Sequence, residues 1–131
     1  MGLHVGRAKP AFEASGMEEA ARRGGADKVI YFDETATIEV DIPEAKVFKK
    51  AAIFKPVLDA DVIINLPKMK VHLAGTVTLA LKNWNGLIPN VHPSDQQQGA
   101  HRIDLGQKFA DLYRAVKADL TIVDAIIGME G

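Results

Sequence analysis

The residues best placed to do chemistry lie in one segment, Val62 to Ser94, which carries lysines and histidines but no Asp or Glu. The whole chain is almost neutral, with 16 Lys and Arg against 17 Asp and Glu. At that average, about four acidic residues are expected in a window of this length. Because ammonium groups without neighbouring carboxylates attract anions, the segment predicts a site for a phosphate or carboxylate group.

The candidate site residues divide by the chemistry of their side chains. The ligand-binding candidates supply positive charge or hydrogen bonds: Asn65, Lys68, Lys70, Thr78 and Asn83. The catalytic candidates can hold or transfer a proton: Lys82, His72, His101 and Asp124. Two alternatives stay open. Lysines beside apolar strands often serve only solubility, and an aspartate after a strand often satisfies the N–H groups of a turn.

Several classes of site are excluded or disfavoured. The chain has no cysteine, which excludes disulfides, thiolate nucleophiles and an iron–sulfur cluster bound by this chain. The spacing of His72, His92 and His101 matches no arrangement of metal ligands, so we expect no metal site. No phosphate-binding glycine motif and no Ser-His-Asp order is present, and the sequence therefore leaves the cofactor unknown.

Three runs with a shared pattern are expected to position these residues. Each consists of Ala-Asp, a β-branched stretch and a final polar residue: Ala26 to Asp33, Ala60 to Asn65 and Ala118 to Asp124. Consecutive apolar residues are typical of parallel strands covered on both faces, so we predict three buried strands. Helical patterns from Met17 to Arg23 and from about Arg102 to Lys117 precede two of them. The sequence therefore predicts an α/β layered domain with a mainly parallel sheet.

The site is expected at the carboxyl edge of that sheet, where open α/β sheets bind ligands. We predict a helix from about Leu73 to Asn83, whose N-terminal dipole would add to the charge of the preceding lysines. The alternative is a strand, because the stretch from Thr76 to Leu81 also alternates. Trp84 is expected in the core.

A β-hairpin insertion is predicted at about residues 36–50, where apolar and acidic residues alternate before a turn at Pro43-Glu44. We expect it at an edge of the sheet or as a flap. The segment from Pro89 to His101 has the composition of a loop.

The size of 131 residues predicts a single α/β domain, residues 1–131. No apolar run reaches the roughly 20 residues of a membrane span, and a cytoplasmic protein without membrane or nucleic-acid partners is expected. The sequence stops at "DAIIGMEG", which reads as a strand and a turn, so we expect a fragment of a larger domain. Unpaired strand edges then predict a homo-oligomer.

Several blocks, among them "ADVIINLPKMKVH", "GTVTLALKNWNGLIP" and "ADLTIVDAIIGMEG", resemble the family catalogued as domain of unknown function 362. The resemblance covers nearly the whole chain and implies an α/β fold. It maps the polar positions of the family onto the candidates above, and onto Gly86 and the closing residues 128–131. It also implies that an amino-terminal strand-helix portion is absent, and that relatives are often fused to ferredoxin-type iron–sulfur modules.

Two functions follow from these observations. The first is an enzyme, or its core, that binds an anionic small molecule or cofactor and takes part in redox-linked metabolism. The second is a non-catalytic docking or assembly module, in which the lysine-containing segment from Val62 to Ser94 binds an acidic partner, such as a ferredoxin-type domain.

Overall fold

The computed structural model describes residues 8–72, 76–89 and 104–129, and for His72, Thr76 and Met129 only the backbone. The helices are α1 Ala8–Ser15, α2 Met17–Arg23, α3 Lys55–Leu58, α4 Ala80–Asn83 and α5 Leu105–Ala115, with single 3₁₀ turns at Phe32–Glu34 and Trp84–Leu87. The strands are β1 Thr37–Asp41, β2 Lys50–Phe54, β3 Ile64–Asn65, β4 Lys68–His72, β5 Thr76–Thr78, β6 Leu120–Thr121 and β7 Asp124–Met129. The predicted α/β class is confirmed.

The described strands form three small sheets. An antiparallel pair joins β1 to β2, a parallel pair joins β3 to β6, and a mixed three-stranded sheet has the order β5-β4-β7. No helix among the described residues is both long enough and apolar enough to cross a bilayer.

The two predicted helices form where their sequence signals place them. In α2, acidic residues occupy the first turn and basic residues the last, which complements the helix dipole, and the helix ends before Gly24. In α5, Asp104 caps the first turn by accepting a hydrogen bond from the backbone N–H of Gln107 at 3.1 Å. The apolar stripe of α5 faces the core, where Phe109 and Leu112 are buried.

The three predicted strands are only partly realised. The first prediction is wrong: no described strand pairs with residues 26–33, and their end folds into the 3₁₀ turn through local hydrogen bonds. The second run contributes only β3, and the third is divided into β6 and the start of β7. A strand needs a neighbour for its N–H and C=O groups, and an apolar pattern alone does not supply one.

The second and third runs nevertheless lie side by side in one continuous parallel ribbon, formed by residues 62–70 and 119–129. The N–H groups of Asp119, Ile122 and Asp124 donate to the carbonyl groups of Ile63, Asn65 and Pro67, each at 2.9 Å. The ladder is interrupted because Pro67 has no N–H to donate. It resumes where Lys68 pairs with Asp124, with a register irregularity between Lys68 and Lys70.

The predicted hairpin is confirmed, but it extends beyond residue 50 and belongs to the core. Strand β1 pairs antiparallel with β2, from Thr37 opposite Phe54 to Asp41 opposite Lys50. Ala51 and Ile53 of β2 are 0% and 1% exposed, so β2 packs against the core. Among the described residues the hairpin forms a separate sheet of two strands, and it is therefore not at the centre of a larger sheet, as expected. The hydrophobic core comprises Ile42, Phe48, Ala51, Ile53, Phe54, Val57, Trp84, Ile88, Phe109, Leu112 and Val116.

Asp111 of α5 is fully buried and ties the helix to the hairpin turn. Its carboxylate accepts hydrogen bonds from three backbone N–H groups and two side chains: Lys46, Val47, Phe48, Gln107 and Arg114. Burial alone would raise the pKa of Asp111, but the backbone N–H groups and the Gln107 amide outweigh it and lower the pKa to about 2. The carboxylate is therefore a structural anchor with its hydrogen-bonding capacity filled.

Candidate functional site

The described part of the segment from Val62 to Ser94 folds as the three strands β3, β4 and β5, followed by the short helix α4 and a 3₁₀ turn. The predicted helix from Leu73 to Asn83 is wrong: β5 occupies Thr76–Thr78, as the alternative prediction had it, and α4 contains only Ala80–Asn83. Two β-branched threonines flanking Val77 favour the strand, which pairs antiparallel with β4. A four-residue helix has too few aligned peptide groups to provide the expected dipole, and residues 73–75 lie outside the described part.

Two asparagines join this helical turn to the parallel ribbon. Asn65 at the end of β3 is 5% exposed, and its side-chain oxygen accepts a hydrogen bond from the Asn83 amide at 2.7 Å. The Asn65 amide donates to the Ala80 carbonyl at 3.2 Å. These two hydrogen bonds fix α4 against β3. Asn83 itself stays exposed at the protein surface.

Lys82 and Lys70 lie close enough for their charges to interact. Burial first, and the charge of Lys70 second, lower the pKa of the Lys82 ammonium. The Nζ atom of Lys82 lies 6.0 Å from the centroid of the Phe109 ring, a weak cation–π contact. Within the described residues neither lysine forms an ion pair with a carboxylate.

Thr78 brings an unsatisfied hydroxyl group to the same place. It lies opposite Lys70 in the β4–β5 ladder, so the two side chains share a face of the sheet. The residue is 9% exposed, and among the described residues its Oγ1 finds no hydrogen-bond partner. We call Lys70, Thr78 and Lys82 the lysine site.

Lys68 and Asp124 form a separate pair. Their side chains meet at 2.8 Å across the parallel ribbon, and both are about half exposed. The hydrogen bond from Lys68, followed by one from the Ile126 N–H, lowers the pKa of Asp124. The charge of Lys68 is thus already neutralised, whereas neither lysine of the lysine site meets a carboxylate in the part of the chain that the structure describes.

The side chains of the two histidine candidates lie outside the described part of the structure. His72 ends β4, opposite Thr76, and only its backbone is described. His101 lies outside the described residues. Their roles in proton transfer stay predictions. Among the residues whose side chains are described, no three His, Asp or Glu are grouped to hold a metal ion.

A groove of about 350 Å³ borders the asparagine pair. It is mainly apolar, with Asn65 and Asn83 as its polar residues and Ile30, Phe32 and Leu66 among its apolar ones. Sequence reasoning did not identify the groove, since its walls come from three separate segments, residues 30–32, 56–66 and 83–87, that carry no shared motif.

Trp84 lines this groove and belongs to the core, as predicted. It is 3% exposed, and its indole N–H donates to the Val116 carbonyl at 2.6 Å. Its ring packs edge-on against Tyr113, with centroids 5.4 Å apart. The buried side chain of Trp84 therefore anchors the 3₁₀ turn that follows Lys82 to α5 and to the residue after it.

Comparison with known proteins identifies a family and one curated relative. The model of the family described as "Domain of unknown function (DUF362)" matches residues 3–131. Over 86 residues, 64% of this chain, the sequence is 34% identical to the thylakoid-associated protein sll1697 of Synechocystis sp.. The matched part spans 27% of the length of that relative. No solved structure was found to match the chain.

Proposed function

The chain belongs to the DUF362 family, and from the geometry of the lysine site we propose that it binds the phosphate or carboxylate group of a small molecule or cofactor. The observation that carries this proposal is the pair of interacting ammonium groups without a carboxylate partner in the described residues. Lys82 is also partly withdrawn from water, as the lowering of its pKa by burial indicates.

An anion between the two lysines would relieve an unfavourable arrangement. Burying an ammonium group costs free energy unless it is paired, and a second positive charge nearby adds to that cost. A bound phosphate or carboxylate would offset both effects, and the Thr78 hydroxyl could donate a hydrogen bond to it. Asn83 offers a further polar group at the rim.

The same arrangement could support proton transfer. A lysine whose pKa is lowered loses its proton more readily than an exposed lysine, so Lys82 would serve as an acid or a base toward the bound molecule. His72, His101 and Asp124 remain the other catalytic candidates. Whether the site is catalytic would follow from the identity of the ligand.

The test is thermal unfolding in the presence of phosphate, nucleotides and small carboxylates, added one at a time. A ligand at ten times its Kd adds about 1.4 kcal/mol to the free energy of unfolding, a rise in Tm of about 4 °C. Lys82→Met and Lys70→Met should each abolish the rise. Lys55→Met is the matched control, since Lys55 is an exposed lysine already paired with Asp59 at 2.5 Å.

A panel in which no anion raises the Tm of the wild-type protein would overturn the proposal. An equal loss of the rise in Lys55→Met would do the same, because it would show a general charge effect instead of a site.

A second candidate function is the docking of an acidic partner, such as a ferredoxin-type domain that carries its own iron–sulfur cluster. The exposure of Lys70, and of Lys68 on the same strand, favours it. Binding by this face would weaken steeply with added salt and would tolerate Thr78→Val, whereas a small anion would need the hydroxyl group. A redox-linked role and a cytoplasmic location stay predictions, since the thylakoid association is stated only of the relative.

A further inference from the structure

The side chain of Asn65 is buried, and both ends of its amide are engaged within the protein. The residue is 5% exposed; its oxygen accepts from Asn83 at 2.7 Å, and its nitrogen donates to the Ala80 carbonyl at 3.2 Å. Its backbone carbonyl accepts the N–H of Ile122 at 2.9 Å, which fixes the residue in the parallel ribbon. A buried amide with these bonds made is suited to holding other elements in place.

The short helix α4 depends on contacts from other elements for its position. It contains only the four residues Ala80–Asn83, and no side-chain hydrogen bond caps its start in the described part. A helix of this length is unstable alone, because ordering its first turn costs more free energy than its few hydrogen bonds provide. The N–H groups at its end donate to the Leu81 and Lys82 carbonyls, and the Ala80 carbonyl accepts from Asn65.

The two residues that Asn65 binds lie on either side of Lys82. Ala80 precedes Lys82 by two positions, and Asn83 follows it directly, so the Lys82 backbone lies between two fixed points. Lys70 and Asn65 both belong to residues 62–70 of the parallel ribbon. Asn65 therefore connects the helix that carries one lysine to the segment that carries the other.

We infer that Asn65 is a positioning residue, which holds Lys82 near Lys70 without contacting the bound anion. The inference rests on the proposed function, since it concerns the same lysine site. Trp84 anchors the following turn to the chain after α5, whereas Asn65 anchors α4 to the ribbon. The burial of Lys82 and the influence of Lys70, which together lower the pKa of Lys82, both depend on this placement.

The first test needs no ligand. Asn65→Leu keeps nearly the same side-chain shape and removes both side-chain hydrogen bonds. Release of α4 should expose Lys82 and separate it from Lys70, so the pKa of Lys82 should rise toward its ordinary value. Titration of the Lys82 side chain followed by NMR measures this change.

Ile53→Val is the matched control for a general loss of stability. Ile53 is 1% exposed on β2, and removal of one methyl group from it should lower the Tm. The titration of Lys82 should stay as in the wild type, because the contacts of Asn65 are intact. A shift of the same size in Ile53→Val would overturn the inference, since it would show that any loss of stability releases Lys82.

Binding of inorganic phosphate, measured by isothermal titration calorimetry, is a second readout. Asn65→Leu should raise the Kd about tenfold or more, and Ile53→Val should change it by less than about twofold. A shifted Lys82 titration in Asn65→Leu, together with a wild type that binds no anion, would support the positioning role and overturn the proposed function. The two proposals can therefore fail separately.

Circular dichroism shows whether Asn65→Leu folds. Asn83→Ala is the second variant, because Asn83 is exposed and alanine favours a helix, so the fold is kept while one of the two bonds is lost. It should move the Lys82 titration in the same direction by a smaller amount. An unchanged Lys82 titration in a folded Asn65→Leu, or in Asn83→Ala, would overturn the inference.

Discussion

Asp111 and Lys82 are both charged residues that the fold draws away from water, and the fold treats them in opposite ways. Asp111 is fully buried and surrounded by donors from the hairpin turn, from Gln107 and from Arg114. Lys82 is half-buried, faces an aromatic ring and another lysine, and has no carboxylate partner among the described residues.

The difference separates a charge that holds the structure together from one that is available for a ligand. Both pKa values are lowered, but the consequence differs because one group is an acid and the other a base. The surroundings of Asp111 favour its charged form, whereas the surroundings of Lys82 disfavour the charged form of the lysine. A low-dielectric position strengthens either effect. Perturbed groups are therefore candidates for function chiefly when their hydrogen-bonding capacity is unfilled.

The largest effect is expected from Asp111→Ala. Removing the carboxylate leaves three backbone N–H groups of the hairpin turn without their acceptor, and we expect a loss of about 3–5 kcal/mol in the free energy of unfolding. Urea denaturation followed by circular dichroism measures it. Asp59→Ala, which breaks only an exposed pair with Lys55, should cost less than about 1 kcal/mol. Similar losses in the two variants would contradict the contrast.

A second effect is a loss of stability in acid. The folded pKa of Asp111 is about 2, below its ordinary value of 3.8, so the stabilisation is present above pH 4 and is lost as pH falls from about 4 toward 2. Urea unfolding at several pH values should show this slope in the wild type. Asp111→Asn should reduce the slope, because the amide does not titrate. An unchanged slope in that variant would assign the acid sensitivity to other carboxylates.

The smallest effect concerns the titration of Lys82. Its folded pKa is lowered, so its protonated form is disfavoured and anion binding should weaken as pH rises through that lowered pKa. Lys70→Met removes the second cause of the shift and should move the pKa of Lys82 upward, toward its ordinary value. The side-chain ¹³Cε resonance of Lys82 follows the titration by NMR. An unaltered Lys82 titration in Lys70→Met would show that the two ammonium groups do not interact.

Local sequence signals predicted the parts of the fold that depend on neighbouring residues. The amphipathic pattern from about Arg102 to Lys117 and the alternation before Pro43 predicted a helix and a hairpin that the structure contains. The segment from Thr76 to Leu81 satisfied both the helical and the extended period, and only its pairing with β4 decided between them. The run from Ala26 to Asp33 had a strand pattern but no described partner strand.

For the candidate site, the sequence likewise indicated features within one segment and not the contacts between distant segments. The absence of acidic residues near Lys70 and Lys82 in the sequence pointed to two lysines that lie close enough for the charge of Lys70 to lower the pKa of Lys82. Their role in a binding site stays a prediction. The same reasoning could not show that Lys68 meets Asp124, which lies 56 positions away. The sequence did not indicate the role of Asp111 for the same reason. An aspartate in an amphipathic helix is expected to face solvent, and Phe48, whose N–H donates to it, is 63 positions away.

The position of Trp84 also provides an internal optical probe. It is the single tryptophan of the chain, and its indole ring is shielded from water and hydrogen-bonded to the chain just after α5. Its fluorescence emission should therefore be blue-shifted in the native protein, and it should move to longer wavelength when α5 separates from the turn Trp84–Leu87. Because Lys82 precedes it by two positions, one emission spectrum can follow both unfolding and ligand occupancy without any added label.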